Sequence, residues 1–203
     1  MKKKVKLEDE PLSLSQIAQL KNVSDDYSHL GQDYILTHIT TNTSYFYAPA
    51  ARRFDGFIII ISVKGTIKIT IDLDTFEVDP GSVTFVAPDR VFKPIDWDGD
   101  ELDAYLLFLS NRFVYDLNIE LNAINTNLFT SAKQVMDLRP DQLDVLIKYF
   151  HMLHQNALDL NPYTRHIARS LMSAAAYQLM AYGEEAERHT KAERTHSRKL
   201  SYV

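Results

Sequence analysis

The chain has 203 residues, 45% of them hydrophobic, and a formal net charge of −5. That length allows one or two domains with a sizeable core, while the acidic balance argues against nucleic-acid binding by this segment alone, because phosphate contacts need clustered lysines and arginines. The chain contains no cysteine, which excludes disulfides, thiolate nucleophiles and cysteine-based metal sites.

Residues 1–30 are predicted to form a polar N-terminal arm or lead-in segment. The basic start at residues 1–6 is not followed by the apolar segment that a signal peptide requires. A short helix is predicted over residues 14–20, where apolar side chains recur at helical spacing. The longest apolar run, residues 57–61, is too short to cross a bilayer, so we expect a cytoplasmic protein with no membrane contact.

Residues 31–110 are predicted to form a small antiparallel β-barrel. An apolar block at residues 57–63 precedes the break Lys64-Gly65, and apolar and polar residues then alternate strictly over residues 66–72. A second break at Asp79-Pro80-Gly81 introduces another apolar run. Period-two alternation between glycine, proline and aspartate turns is typical of antiparallel strands that bury one face.

Residues 111–183 are predicted to be helical and to end in an antiparallel helix hairpin. Pro140-Asp141 suits the first turn of one helix, and Asn161-Pro162 provides the cap and first turn of the next, which Gly183 is expected to end. The short connection between them favours a hairpin. Residues 184–203 lack apolar periodicity and are predicted to form a polar linker or tail. The predicted fold class is α+β.

The strand order resembles that of cupins, whose enzymes place paired histidines and a glutamate on one strand and a third histidine further along the chain. Residues 52–70 contain no histidine, and Phe92 stands where the later histidine would be. We therefore expect neither a metal nor another cofactor. His151, His154 and His166 could bind a metal across the hairpin, but isolated helix histidines are more often surface or interface residues. His29 and His38 are interpreted in the same way.

A binding pocket is the favoured site, because small barrels can enclose one ligand and pockets combine aromatic walls with a few polar groups. Tyr105 lies on a strand that is apolar on both faces, so its hydroxyl needs a partner or a ligand. The aromatic run Tyr45, Phe46 and Tyr47 is a further candidate for the pocket wall. The principal ligand-binding candidates are Arg52, Arg53, Lys64, Phe92, Trp97 and Tyr105.

The second helix of the hairpin is a candidate surface for self-association. Its small alanines would allow a second helix to approach closely, and self-complementary twofold contacts are the commonest form of oligomer. We therefore expect a homodimer. The candidate interface residues are Ile167, Leu171, Ala174, Ala175, Gln178 and Tyr182.

The chain resembles the N-terminal sensor and dimerisation half of AraC-family transcription regulators. The residues that carry the resemblance are 54–69, 79–88 and 105–113, followed by a linker-like stretch at 192–199. The resemblance implies a cupin-like barrel that binds a small-molecule effector, such as a sugar or metabolite, and a dimerising helix pair. It implies DNA contact only through a C-terminal domain that is missing from these residues.

The resemblance also bears on single residues. In the arabinose-responsive member, a basic residue before the glycine of the first hairpin contacts the sugar, and this position corresponds to Lys64. A pocket tryptophan of that member falls near Tyr105. Lysine lacks the bidentate fork of arginine, so the ligand need not be a sugar.

The sequence therefore predicts an effector-sensing, dimerising domain of a bacterial transcription regulator without catalytic activity. Two alternatives stay open. One is a cupin-fold enzyme such as a sugar isomerase or dioxygenase, and the other is a stand-alone interaction domain.

Overall fold

A computed structural model of the chain describes residues 11–19, 27–41, 51–117, 119 and 135–200. One large antiparallel sheet is followed by a pair of long helices. The elements in chain order are α1 Leu14–Gln19, β1 Tyr27–Leu30, β2 Tyr34–Thr40, β3 Arg52–Arg53, β4 Gly56–Ile71, β5 Asp74–Val78, β6 Ser82–Val86, β7 Val91–Ser110, α2 Asn111–Asp116, β8 Val135–Asp137, α3 Pro140–Leu158 and α4 Thr164–Leu200. The predicted α+β order is confirmed.

The sheet is built around the two longest strands, β4 and β7. Its strand order is β1-β2-β7-β4-β6-β8, with β3 also pairing with β7 and β5 with β4. Every one of these pairings is antiparallel. The strand β1 lies within the segment that the sequence assigned to an N-terminal arm, and it forms one edge of the sheet.

The predicted break at Lys64-Gly65 is wrong as a chain turn, because β4 continues through it. The pairing of β4 with β7 instead shifts register between Ser62 and Thr66. Such bulges bend a strand, so one long strand can serve both halves of a folded sheet. Gly65 has φ +76, and a Cβ added there would lie 2.5 Å from the carbonyl oxygen of Glu101. Close approach of the neighbouring strand therefore requires glycine.

The alternating side chains of the sheet pack into two separate hydrophobic cores. One face, which we call the inner core, collects the side chains of Ile58, Ile60, Ile67, Ile69 and Phe108 with others from both halves of the sheet and from α1. The opposite face, the helix-facing face, packs against α2, α3 and α4. This separation follows from the period-two geometry of a strand, which sends neighbouring residues to opposite sides.

The helices α3 and α4 form the antiparallel hairpin that the sequence predicts. Near the start of α3, Arg139 lies 2.7 Å from Glu185 of α4, and near its end the Asn156 amide donates to the Thr164 carbonyl at 2.9 Å. The prediction that Gly183 ends the second helix is wrong, since α4 runs through it to Leu200. None of the described helices is both long enough and apolar enough to span a membrane.

Candidate functional site

A cavity of about 360 Å³ lies between the sheet and helix α3, and it is the candidate site. The strands β2 and β7 form one wall and α3 forms the other. Five of its seven lining residues carry planar rings, and most of them can also form hydrogen bonds. The lining consists of Leu36, His38, Tyr105, Phe150, His151, His154 and Gln155.

The sheet wall is set by strand register. Leu36 and His38 are two residues apart on β2 and therefore share the helix-facing face. His38 lies directly opposite Tyr105 of β7 in the antiparallel ladder. Their rings stack with centroids 4.4 Å apart and planes only 6° from parallel. The two strands thus place a stacked pair of rings at the cavity.

The helix wall is fixed by an apolar anchor and a polar contact. Phe150 is fully buried, and its ring meets the ring of Tyr105 edge-on at 5.8 Å. One residue later, the exposed His151 places its Nε2 atom 3.0 Å from the Tyr105 hydroxyl. Tyr105 therefore joins the sheet to α3 both by packing and by a hydrogen bond. The sequence-based expectation that this hydroxyl needs a partner is confirmed.

A carboxylate lies beside the stacked rings, on the same face of β7. Asp103 precedes Tyr105 by two residues on β7, and its Oδ1 atom lies 2.8 Å from Nε2 of His38. Both side chains are half-buried. This contact fixes the orientation of the imidazole and so of the surface on which Tyr105 stacks. The polar groups of the cavity are thus held in place by defined partners.

A second tyrosine on β2 fastens α3 to the sheet outside the cavity. The Tyr34 side chain is completely buried, and its hydroxyl donates to the carbonyl oxygen of Leu153 at 3.0 Å. Burial, with a smaller contribution from the neighbouring Asp33 carboxylate, raises the pKa of Tyr34 above its ordinary value. The hydroxyl therefore stays protonated and remains a donor. Two hydrogen-bonded tyrosines, one buried and one at the cavity, connect the sheet to α3.

The start of α4 is attached to the sheet by charge. Arg165 donates to both carboxylate oxygens of Asp33, at 2.6 and 3.1 Å, and to Asp116 at 2.8 Å. The two carboxylates, Asp33 first, raise the pKa of Arg165. Arg169 and Ser173 also donate to carbonyl groups at the end of α2. Polar contacts therefore hold α4 to the sheet and to α2.

A smaller cavity of about 50 Å³ lies further along the helix-facing face. Apolar side chains alone line it, among them Leu107 and Leu109 from β7 and Met172, Ala175 and Leu179 from α4. A gap of this size and composition matches ordinary imperfect packing, because dry apolar voids occur in many cores.

The six predicted ligand-binding residues lie in different parts of the molecule. Tyr105 is the one of them that lines the larger cavity. Phe92 is buried in the inner core, and Trp97 packs at the edge of that core. Lys64 is exposed and pairs with Glu101 at 3.0 Å. Arg52 and Arg53 form the short strand β3. The candidates Tyr45, Phe46 and Tyr47 lie outside the described residues.

The predicted dimer residues occupy two sides of α4. Ala175 is buried within its own chain, and Leu171 and Tyr182 are partly buried against the same core. Ile167 is 41% exposed, while Ala174 and Gln178 are half-buried. These positions leave room for a partner along one side of the helix. The dimer interface stays a prediction.

Sequence reasoning missed the role of the histidines at the cavity. The spacing of His151 and His154 indicates a shared edge of the helix, but His38 joins them only because β2 packs beside β7 below α3. His166 does not line this cavity. In the part of the chain that the structure describes, no group of three or more histidine and acidic side chains is placed to hold a metal ion.

The chain was compared with known proteins at three levels. No protein-family model matches it, and neither does any curated protein sequence. Among solved structures, it is similar to an apo variant of ToxT from Vibrio cholerae, at 17% identity over 71% of this chain and 54% of that one, with a TM-score of 0.48. It is also similar to the AraC-like transcriptional activator CuxR, at 18% identity over 74% of this chain and 54% of that one, with a TM-score of 0.41.

A third similar structure is a cupin 2 conserved barrel domain protein from Leptotrichia buccalis. It shares 10% identity over 41% of this chain and 39% of that one, with a TM-score of 0.35. The chain spans about half the length of ToxT and of CuxR.

Proposed function

We propose that the chain is the effector-sensing and dimerisation domain of a bacterial transcription regulator of the AraC type, and that it has no catalytic activity. The effector site is the cavity between β2, β7 and α3. The observation that carries this proposal is the Tyr105–His151 hydrogen bond, which joins the two walls of a ring-lined cavity large enough for a small molecule. The sequence resemblance over residues 54–69, 79–88 and 105–113 supplies the class of protein.

The chemistry of the cavity suits binding. Its tyrosine, histidine and glutamine side chains can donate and accept hydrogen bonds, and Phe150 and Leu36 supply apolar contact. Tyr105, His38 and His151 form a stacked and hydrogen-bonded set that can recognise a ligand.

The position of the cavity gives a ligand access to the helix hairpin. A molecule that contacts His151 contacts α3, and α3 is bound along its length to α4. A ligand shifts the equilibrium between two conformational states of a protein only by its difference in affinity for them. The coupling free energy between two sites is typically about 1–3 kcal/mol. We place the homodimer contact on α4 and assign DNA binding to a helix-turn-helix part outside these residues.

The test is a thermal-shift screen of sugars and other metabolites against the purified domain. A ligand present at about 100 times its Kd is expected to add about 2.7 kcal/mol of stability. The shift should shrink in Tyr105→Phe, which keeps the ring and removes the hydroxyl. It should persist in the matched control Lys64→Gln, which alters the exposed position that the family resemblance assigns to the ligand.

Several results would contradict this proposal. If the thermal shift caused by a ligand is lost in Lys64→Gln and kept in Tyr105→Phe, the ligand binds outside the cavity. A monomeric mass in light scattering at micromolar concentration would contradict the proposed homodimer. Stoichiometric iron, manganese, nickel or zinc in the purified protein would favour the cupin-enzyme alternative, and the lack of any hit in a broad screen would favour the interaction domain.

A further inference from the structure

The lining of the larger cavity narrows the class of ligand, provided that the cavity is the effector site as proposed above. Rings dominate both of its walls. On the sheet, the rings of His38 and Tyr105 stack face to face, and on the helix the ring of Phe150 meets that of Tyr105 edge-on. Aromatic faces and edges prefer other aromatic rings as contacts, in stacked or T-shaped arrangements. A planar ring therefore fits this cavity better than a puckered one.

The charges around the cavity favour an uncharged ligand. Its lining includes no lysine, arginine, aspartate or glutamate. The carboxylate of Asp103, beside the stacked rings, is already in contact with His38 at 2.8 Å. Burying an ionised group costs free energy unless an opposite charge accompanies it. A carboxylate or ammonium ligand would find no permanent countercharge in the lining.

The polar groups identify the substituent that the ligand should carry. The Tyr105 hydroxyl and His151 Nε2 lie 3.0 Å apart and currently satisfy each other. A phenol and an imidazole can each donate or accept, so a ligand hydroxyl or amide can take over one side of this pair without leaving a polar group unsatisfied. His151 is exposed on α3, so its ring can move to make room.

We propose that the cavity binds a small, uncharged aromatic compound that carries a hydroxyl or amide group, with the polar group held at Tyr105 and His151. A volume of about 360 Å³ admits one or two rings with their substituents. Binding replaces the Tyr105–His151 hydrogen bond, so the ligand becomes the contact between β7 and α3.

Three matched probes test this proposal: 4-hydroxybenzamide, its ring-saturated counterpart 4-hydroxycyclohexanecarboxamide, and 4-hydroxybenzoate. Their affinities are measured by NMR titration of the 203-residue chain. We expect the neutral aromatic probe to bind about tenfold more tightly than either of the others. Its affinity should fall about fivefold in Tyr105→Phe, in line with the loss of one hydrogen bond. It should be unchanged in Tyr34→Phe, whose hydroxyl contacts α3 outside the cavity.

Tyr105→Phe keeps its ring, and thermal unfolding of each variant shows whether the fold is intact. If Tyr105→Phe fails to fold, His151→Leu provides the same comparison from the exposed side of the cavity. Equal binding of the ring-saturated probe, tighter binding of the carboxylate, or no binding of any probe at millimolar concentration would each overturn the proposal. The proposed function would survive those results if the metabolite screen yielded a ligand of other chemistry whose thermal shift depends on Tyr105.

Discussion

The inner core and the larger cavity lie on opposite faces of strands β2 and β7, and they differ in the side chains that line them. On β7, Ala104, Leu106 and Phe108 enter the inner core, whereas Tyr105 between them turns to the cavity. The inner-core side chains are buried among apolar neighbours. The cavity lining combines rings with hydrogen-bonding groups. One face of the sheet thus provides stability, while the other provides both the attachment of the helices and the candidate site.

The largest effect is expected in the inner core. Phe108 is 1% exposed, and its ring meets Phe54 edge-on at 5.6 Å. Phe108→Ala should lower the free energy of unfolding by about 3–5 kcal/mol, because it removes buried area and leaves a cavity. Denaturant unfolding measures the loss. Leu73→Ala, at a position that is 96% exposed, is the control and should change stability very little. A loss at Phe108 below about 1 kcal/mol would contradict a tightly packed inner core.

The next largest effect is expected where β4 bends. Gly65→Ala should cost about 2–3 kcal/mol, because the new methyl would meet the Glu101 carbonyl in a backbone conformation that alanine disfavours. Gly31→Ala is the matched control. Gly31 also has positive φ, at +50, but nothing lies within 4 Å of an added Cβ. Its cost should be about 1 kcal/mol. Equal losses in the two variants would show that close approach at Gly65 is unimportant.

A smaller effect is expected at the charged attachment of α4. Arg165→Gln should lower stability by about 1–2 kcal/mol, because Asp33 is buried and loses its charged partner, while the exposure of Arg165 limits the effect. The hydrogen bond from Arg165 also lowers the pKa of Asp116. A carboxylate with a lowered pKa stabilises the fold above the ordinary carboxyl pKa of about 4, and this contribution is lost as the pH falls through the lowered value.

Unfolding measured between about pH 5 and pH 2 should therefore show an acid-dependent loss of stability that is weaker in Arg165→Gln than in the natural sequence. The matched variant Arg165→Lys keeps the charge but loses the fork that contacts Asp33 twice. The acid-dependent loss of stability in Arg165→Lys should lie between those of the natural sequence and Arg165→Gln. An identical pH dependence in all three proteins would show that the pair with Asp116 does not affect folding.

The smallest effects distinguish the two tyrosines that hold α3. Tyr34→Phe removes a buried hydrogen bond to the Leu153 carbonyl and should cost about 1 kcal/mol or slightly more. Tyr105→Phe should cost about 0.5 kcal/mol, because the exposed His151 can bind water instead. Thermal and denaturant unfolding of both variants make the comparison. A greater loss at Tyr105 would mean that the cavity contributes stability as much as recognition.

The sequence predicts the β-rich and helical regions correctly because hydrophobic periodicity depends on local geometry. It fails where a tertiary contact overrides a local signal. Gly65 has the pattern of a turn residue but lies at a bend within one strand. Gly183 is unfavourable within a helix by about 1 kcal/mol, yet Glu185 just beyond it bonds to both Arg139 and Gln142 of α3.

The candidate site was less predictable than the fold. Tyr105 stood out because a polar hydroxyl lay within an apolar strand, and that is a property of the residue itself. His38 could not be paired with it, since the contact depends on the register of β2 with β7 across a long separation in sequence. Lys64 and Phe92 are candidates because pockets combine polar groups with aromatic walls, but the structure places one at the surface and the other in the inner core.

The length of α4 has a mechanical consequence. The helix has 37 residues and α3 has 19, so α4 extends well beyond the neighbour that supports it. Its last 17 residues, 184–200, measure about 25 Å at the usual rise per residue. A tilt of about 10° at the base of this segment moves its far end by about 4 Å. The helix is thus a lever arm, on which a small adjustment beside Tyr105 becomes a displacement comparable to the width of a side chain.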